Sequence, residues 1–165
     1  SCIRYIGAKE NQFVKMLGIE FSKLDNKVIY YLNQISMPVL RYSLSLTFIW
    51  FGALKLFGNS PAVDLVTKTV YWIDPDIFIP ILGYWEMAIG LCILYRPLIR
   101  VGLFLLALQM PGTFLPLILL PEVCFSSFPF GLTLEGQYIV KNLVLIGAAL
   151  VVGSKLIPFK LKPAV

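Results

Sequence analysis

Hydrophobic positions along the chain fall into two regimes. Before residue 38 they are periodic: Val14, Leu17, Phe21, Leu24, Val28, Tyr31 and Ile35 recur at alternating steps of three and four residues. Lys15, Glu20, Lys23, Asp25 and Lys27 fall off that seam. The spacing predicts an amphipathic helix with a heptad stripe. From residue 38 onward the pattern becomes long apolar runs, at about 38–57, 77–95, 98–120 and 137–157. A hydrocarbon core of roughly 30 Å takes about 20 helical residues to cross, and each run is long enough. The expected fold class is all-α, an integral membrane four-helix bundle preceded by an N-terminal amphipathic helix. The expected division is 1–37 for that helix, 38–157 for the transmembrane domain and 158–165 for a cytoplasmic tail.

The links carry their own signals. Arg96-Pro97 sits in a very short connection, which makes spans two and three antiparallel neighbours. In the link 58–76, Ser60-Pro61 reads as a helix N-cap with proline at the first position. Val63, Val66, Val70 and Ile73 then share one helical face, and Asp74-Pro75 reads as its end. The link 121–136 is aromatic, with Phe125, Phe128 and Phe130 expected at the membrane interface or over the bundle mouth.

Composition narrows the function classes. Of 165 residues, 58% are hydrophobic and 14% charged, against about 45–50% apolar and about 25% charged in soluble domains. That excludes a disordered tail, and neither a soluble globule nor a nucleic-acid partner is expected. Histidine is absent, and the three cysteines, Cys2, Cys92 and Cys124, form no C-x-x-C pair. No metal site, catalytic residue or resident cofactor is therefore expected. The first twelve residues carry no apolar core of a signal peptide. Four spans put both termini on one side. With that arrangement 11 of the basic residues lie on the terminal side and 3, Lys55, Lys68 and Lys141, on the other. Both termini are expected in the cytoplasm.

Glu86 is the most informative single residue. It lies well inside span two, where a carboxylate is costly unless it faces the bundle and finds a partner. Lys55 and Lys141 both lie near the same end of their spans and either could reach it. Gln109-Met110-Pro111-Gly112-Thr113 should interrupt span three, and Gly52, Gly83 and Gly90 should let helices approach closely. Lys55, Glu86, Gln109 and Lys141 are thus the candidate intramembrane polar cluster: an ion pair fixing register, a ligand- or proton-linked site, or a hydrogen-bonded neutral acid. Val14, Leu17, Phe21, Leu24 and Val28 are the candidate docking face, for the lipid bilayer or for a membrane-protein partner.

Several strings resemble one family. They are RYSLSLTFIWFGALK from Arg41 to Lys55, GYWEMAIG from Gly83 to Gly90, RPLIR from Arg96 to Arg100, PLILLPE from Pro116 to Glu122 and EGQYIVKNL from Glu135 to Leu143. In order and spacing they resemble the YkgB/RclC-like inner-membrane family, within the wider DoxX-like group. The resemblance covers about residues 38–153; the first loop is shorter and the N-terminal extension longer than in that pattern. It implies a bacterial cytoplasmic (inner) membrane protein of four helices, associated with oxidative or reactive-chlorine stress; the lack of His, Cys pairs and a nucleotide-binding glycine motif adds the expectation that the chain is non-catalytic by itself. It also implies an alternative, a quinone-contacting subunit of a membrane redox complex, which needs an apolar slot and one or two polar groups. A transporter would need a polar path through the whole bundle, and the terminal-side halves of the spans offer almost none.

Overall fold

The computed structural model describes the backbone of residues 2–58 and 60–157, and side-chain environments for residues 21–58 and 60–157. The chain divides into two compact units, Ser1–Val39 and Leu40–Val165. Helix α1 (Cys2–Leu56) contains Pro38 without interruption, so the amphipathic stretch and the first span form one helix. Proline removes one backbone donor, yet the helix continues through Pro38, where the sequence pattern suggested a boundary.

The second unit is built from antiparallel helices. After α1 come α2 (Val63–Thr69) and α3 (Pro75–Leu94), then a 3₁₀ turn (Arg96–Leu98). Next are α4 (Ile99–Phe114), α5 (Pro116–Leu119) and α6 (Pro121–Cys124), a two-stranded antiparallel hairpin of β1 (Phe125–Ser127) and β2 (Gly131–Leu132), α7 (Leu134–Val140) and α8 (Asn142–Ser154). Four segments among the described residues are long and apolar enough to cross a membrane: Phe21–Leu56, Pro75–Leu94, Arg96–Leu119 and Leu134–Ser154. Trp50, Tyr84, Phe104 and Leu150, one from each span, lie exposed on the outside. An apolar exterior on every helix suits lipid and is foreign to a water-soluble bundle.

Local chemistry explains the boundaries. Asp74 is the N-cap of α3, its Oδ1 accepting from the Asp76 amide at 3.0 Å with Pro75 at the first position. The Asp-Pro step therefore starts α3, where the sequence pattern suggested the end of α2. The Ser60 hydroxyl accepts from the Ala62 amide at 3.3 Å, holding a turn before α2. Span three runs through Pro111 and breaks at Leu115, ahead of Pro116, one turn later than the sequence suggested. The aromatic link folds into the hairpin: Phe125 is half-buried against Phe128, while Phe128 and Phe130 are exposed.

Leu44 and Phe48 of α1, Ile89 and Ile93 of α3, Leu106 and Met110 of α4 and Ala149 of α8 form the core. Helices α1 and α3 meet most closely at two places seven residues apart. A Cβ on Gly52 would lie 2.6 Å from the Gly83 carbonyl oxygen, and one on Gly90 would lie 2.6 Å from the Ser45 carbonyl oxygen. Backbone contact of this kind needs glycine on one side, as in small-residue membrane interfaces. The end of the bundle with the connections 57–74 and 120–133 is called distal below, and the end with the Arg96–Leu98 turn proximal.

The far connection is anchored by Thr133. Its hydroxyl donates to the Val123 carbonyl at 2.7 Å and accepts from the Gly136 amide at 3.2 Å, capping α7. Cys124 beside it is fully buried, its thiol directed at the Pro116 carbonyl at 3.5 Å. Burial pushes the Cys124 thiol above its usual range, and Glu135 and Glu122 add smaller pushes the same way. Thiolate is the reactive form. Cys124 should therefore stay unlabelled by maleimide at neutral pH in the folded protein and label fully after denaturation, as peptide mass mapping would show.

Candidate functional site

A polar triad crosses three helices at the level of the Gly52–Gly83 contact. Lys55 follows Gly52 on α1 by three residues, and Glu86 follows Gly83 on α3 by three residues. The helices run antiparallel, so the two Cα atoms move apart from that contact in opposite directions. Helical side chains lean toward their own N-terminus, which tilts Lys55 and Glu86 back toward one another. Lys55 Nζ lies 2.6 Å from Glu86 Oε2. Both residues are 7% exposed.

Gln109 completes the arrangement from α4. It follows the buried Leu106 by one turn and precedes the buried Met110, which turns it toward α3. Its Nε2 donates to Glu86 Oε1 at 2.9 Å. Each carboxylate oxygen thus has a donor, and the pair's charges cancel. Gln109 Oε1 is buried and accepts no hydrogen bond from the described residues.

Energetics decide what such a pair does. Bringing two charges out of water costs several kcal/mol per ion, and close geometry with extra hydrogen bonds roughly restores it. The net gain over an apolar pair is therefore small, whereas leaving one charge alone is expensive. A pair with this energetics tolerates few registers of the helices that carry it.

The other sequence candidates lie apart from it. Lys141 is exposed, at the junction of α7 and α8, its ammonium 5.1 Å from the centroid of the Tyr138 ring. It takes no part in the triad; Lys55 occupies the position for which both lysines were candidates. Phe21, Leu24 and Val28 are exposed along α1. Val14 and Leu17 lie on the same helix, but their side chains fall outside the described residues, as does the whole tail 158–165. Among the described residues no group of three or more His, Cys, Asp or Glu side chains could hold a metal ion. Sequence reasoning missed Ser45, whose backbone receives Gly90 and whose hydroxyl donates to the Arg41 carbonyl at 2.9 Å. Its place four residues after Arg41 and seven before Gly52 was the available signal.

No family model, curated protein or solved structure matches the chain. The class of protein defined by fold and site is a multi-pass, all-α membrane bundle with a paired acid among its helices.

Proposed function

We propose that the chain is a non-catalytic subunit of a bacterial inner-membrane assembly, of the stress-linked YkgB/RclC-like type within the DoxX-like group. The observation that carries this reading is the saturation of Glu86: both oxygens are engaged by side chains of the same chain. A carboxylate so engaged serves packing and register rather than chemistry. The exposed apolar seam of Phe21, Leu24 and Val28 supports α1 as the element that docks to a membrane-protein partner or lies against lipid. The test is purification from native membranes in mild detergent, followed by native mass spectrometry. A partner protein at fixed stoichiometry and no lipophilic redox cofactor is the expected result. A chain without any protein partner overturns the subunit reading.

One observation favours a second reading, contact with a quinone. Gln109 Oε1 is a buried acceptor beside the ion pair with no donor among the described residues, which suits the hydroxyl of a quinol. Solvent extraction of the same preparation would then yield about one quinone per chain, the stoichiometry of a single specific site.

The orientation proposed places both termini in the cytoplasm, on the distribution of 11 against 3 basic residues. Alkaline phosphatase fused after Val165 should be inactive and green fluorescent protein at the same point should fluoresce. The reverse pattern would invert the topology.

A further inference from the structure

Among the described residues, the proximal end of the second unit collects cations and no Asp or Glu. Ser45 meets Gly90, so one turn earlier Arg41 stands level with Leu94, the last residue of α3. Gly102 of α4 packs on Cys92 and Ile93, which places Arg100 at the same level, with Arg96 in the turn beside it. The Arg100 guanidinium donates to the Ile157 carbonyl, bringing the end of α8 and Lys155 alongside. Within this unit every Asp and Glu lies elsewhere: Asp64, Asp74, Asp76, Glu122 and Glu135 belong to the distal connections, and Glu86 is in the triad.

Arg41 differs from its neighbours in being half-buried. It sits one turn before the buried Leu44 and Ser45, and so on the bundle-facing side of α1. Its guanidinium lies 5.0 Å from the centroid of the Tyr42 ring. Its Nε is closed off from solvent and donates to no acceptor among the described residues. A buried guanidinium donor without an acceptor is costly, and the planar fork is shaped for a phosphate.

We propose that this end binds the phosphate of an anionic phospholipid, with Arg41 as its inner donor and Arg96 and Lys155 as its rim. A shift of the half-buried Arg41 side chain brings its fork, with the orphaned Nε hydrogen, to the phosphate oxygens, and the surrounding charges favour the anion over a zwitterionic headgroup. The acyl chains lie along the apolar exterior of the same helices. The site is independent of the subunit role: it requires the four spans and not a partner protein.

The test is native mass spectrometry of delipidated protein in neutral detergent, titrated with phosphatidylglycerol or phosphatidylcholine. One phosphatidylglycerol should bind at about tenfold lower concentration than phosphatidylcholine, the gain expected of one charge-assisted fork. Arg41→Gln should remove that preference, and Lys68→Gln, at the distal end, should leave it intact. If Arg41→Gln fails to fold, Arg96→Gln with Lys155→Gln should weaken the preference about threefold, as two exposed charges would. Equal binding of the two lipids, or an unchanged preference in both sets of variants, overturns the proposal. Displacement of the lipid by millimolar inorganic phosphate also overturns it, and assigns the site to a soluble anion.

Discussion

Lys55→Met alone should destabilise the detergent-solubilised protein by about 3–5 kcal/mol, the cost of stranding a buried charge. The stranded group is Glu86, which keeps the Gln109 donor and loses its ammonium at 2.6 Å. Glu86→Gln should cost a similar amount, because Lys55 is then the lone charge. Combining Lys55→Met with Glu86→Gln should recover much of the loss, since neither charge remains and the thioether fills the lysine's space. Thermal or denaturant unfolding of the four proteins gives the coupling energy directly. The same cycle with Lys141→Met should give coupling near zero, because Lys141 is exposed and set over Tyr138. Equal coupling to both lysines would contradict the observed register.

Much of this arrangement was readable in the residues, for a physical reason. Apolar runs of the required length occur four times, and helix length is set by bilayer thickness, so the spans follow from counting. A carboxylate inside such a run demands a partner, so Glu86 and its polar neighbours stand out. The identity of the partner was not readable. Lys55 and Lys141 are equivalent by linear position, and the choice depends on how α1 slides along α3. That register is set by backbone contact at Gly52–Gly83 and Ser45–Gly90, a pairing between distant segments that single-chain periodicity does not encode.

The misread boundaries share another cause. Proline marks both starts and stops, and only its tertiary setting separates them. Asp74-Pro75 has the composition of a helix end, yet Asp74 caps the next helix. Pro111 sits beside glycine and polar residues, yet α4 continues through it, with Thr113 donating to the Gln109 carbonyl at 3.3 Å in the same turn. The hairpin 125–132 was hidden because its strands are three and two residues long, too short for any alternation to register.

Gly52→Ala and Gly90→Ala should each destabilise the bundle by about 1–3 kcal/mol, the range for overpacking a close contact. At Gly52 the added methyl would meet the Gly83 carbonyl oxygen at 2.6 Å and the Met87 amide nitrogen at 2.8 Å. At Gly90 it would meet the Ser45 carbonyl oxygen and Ile49 Cγ1, each at 2.6 Å. Backbone atoms cannot rotate away, so α1 and α3 must separate. Separation at Gly52 also lengthens the nearby Lys55–Glu86 pair, which makes the two lesions interdependent. Gly52→Ala added to the Lys55→Met, Glu86→Gln double variant should therefore cost less than in the native sequence. Gly147→Ala is the matched control: nothing lies within 4 Å of its added methyl, so it should be neutral or stabilise by about 0.5–1 kcal/mol through helix propensity. Unfolding midpoints in mild detergent separate these cases. A Gly52→Ala protein as stable as the Gly147→Ala control would mean that α1 and α3 do not meet at this contact. The ion pair would then have to be held in register by α4 alone.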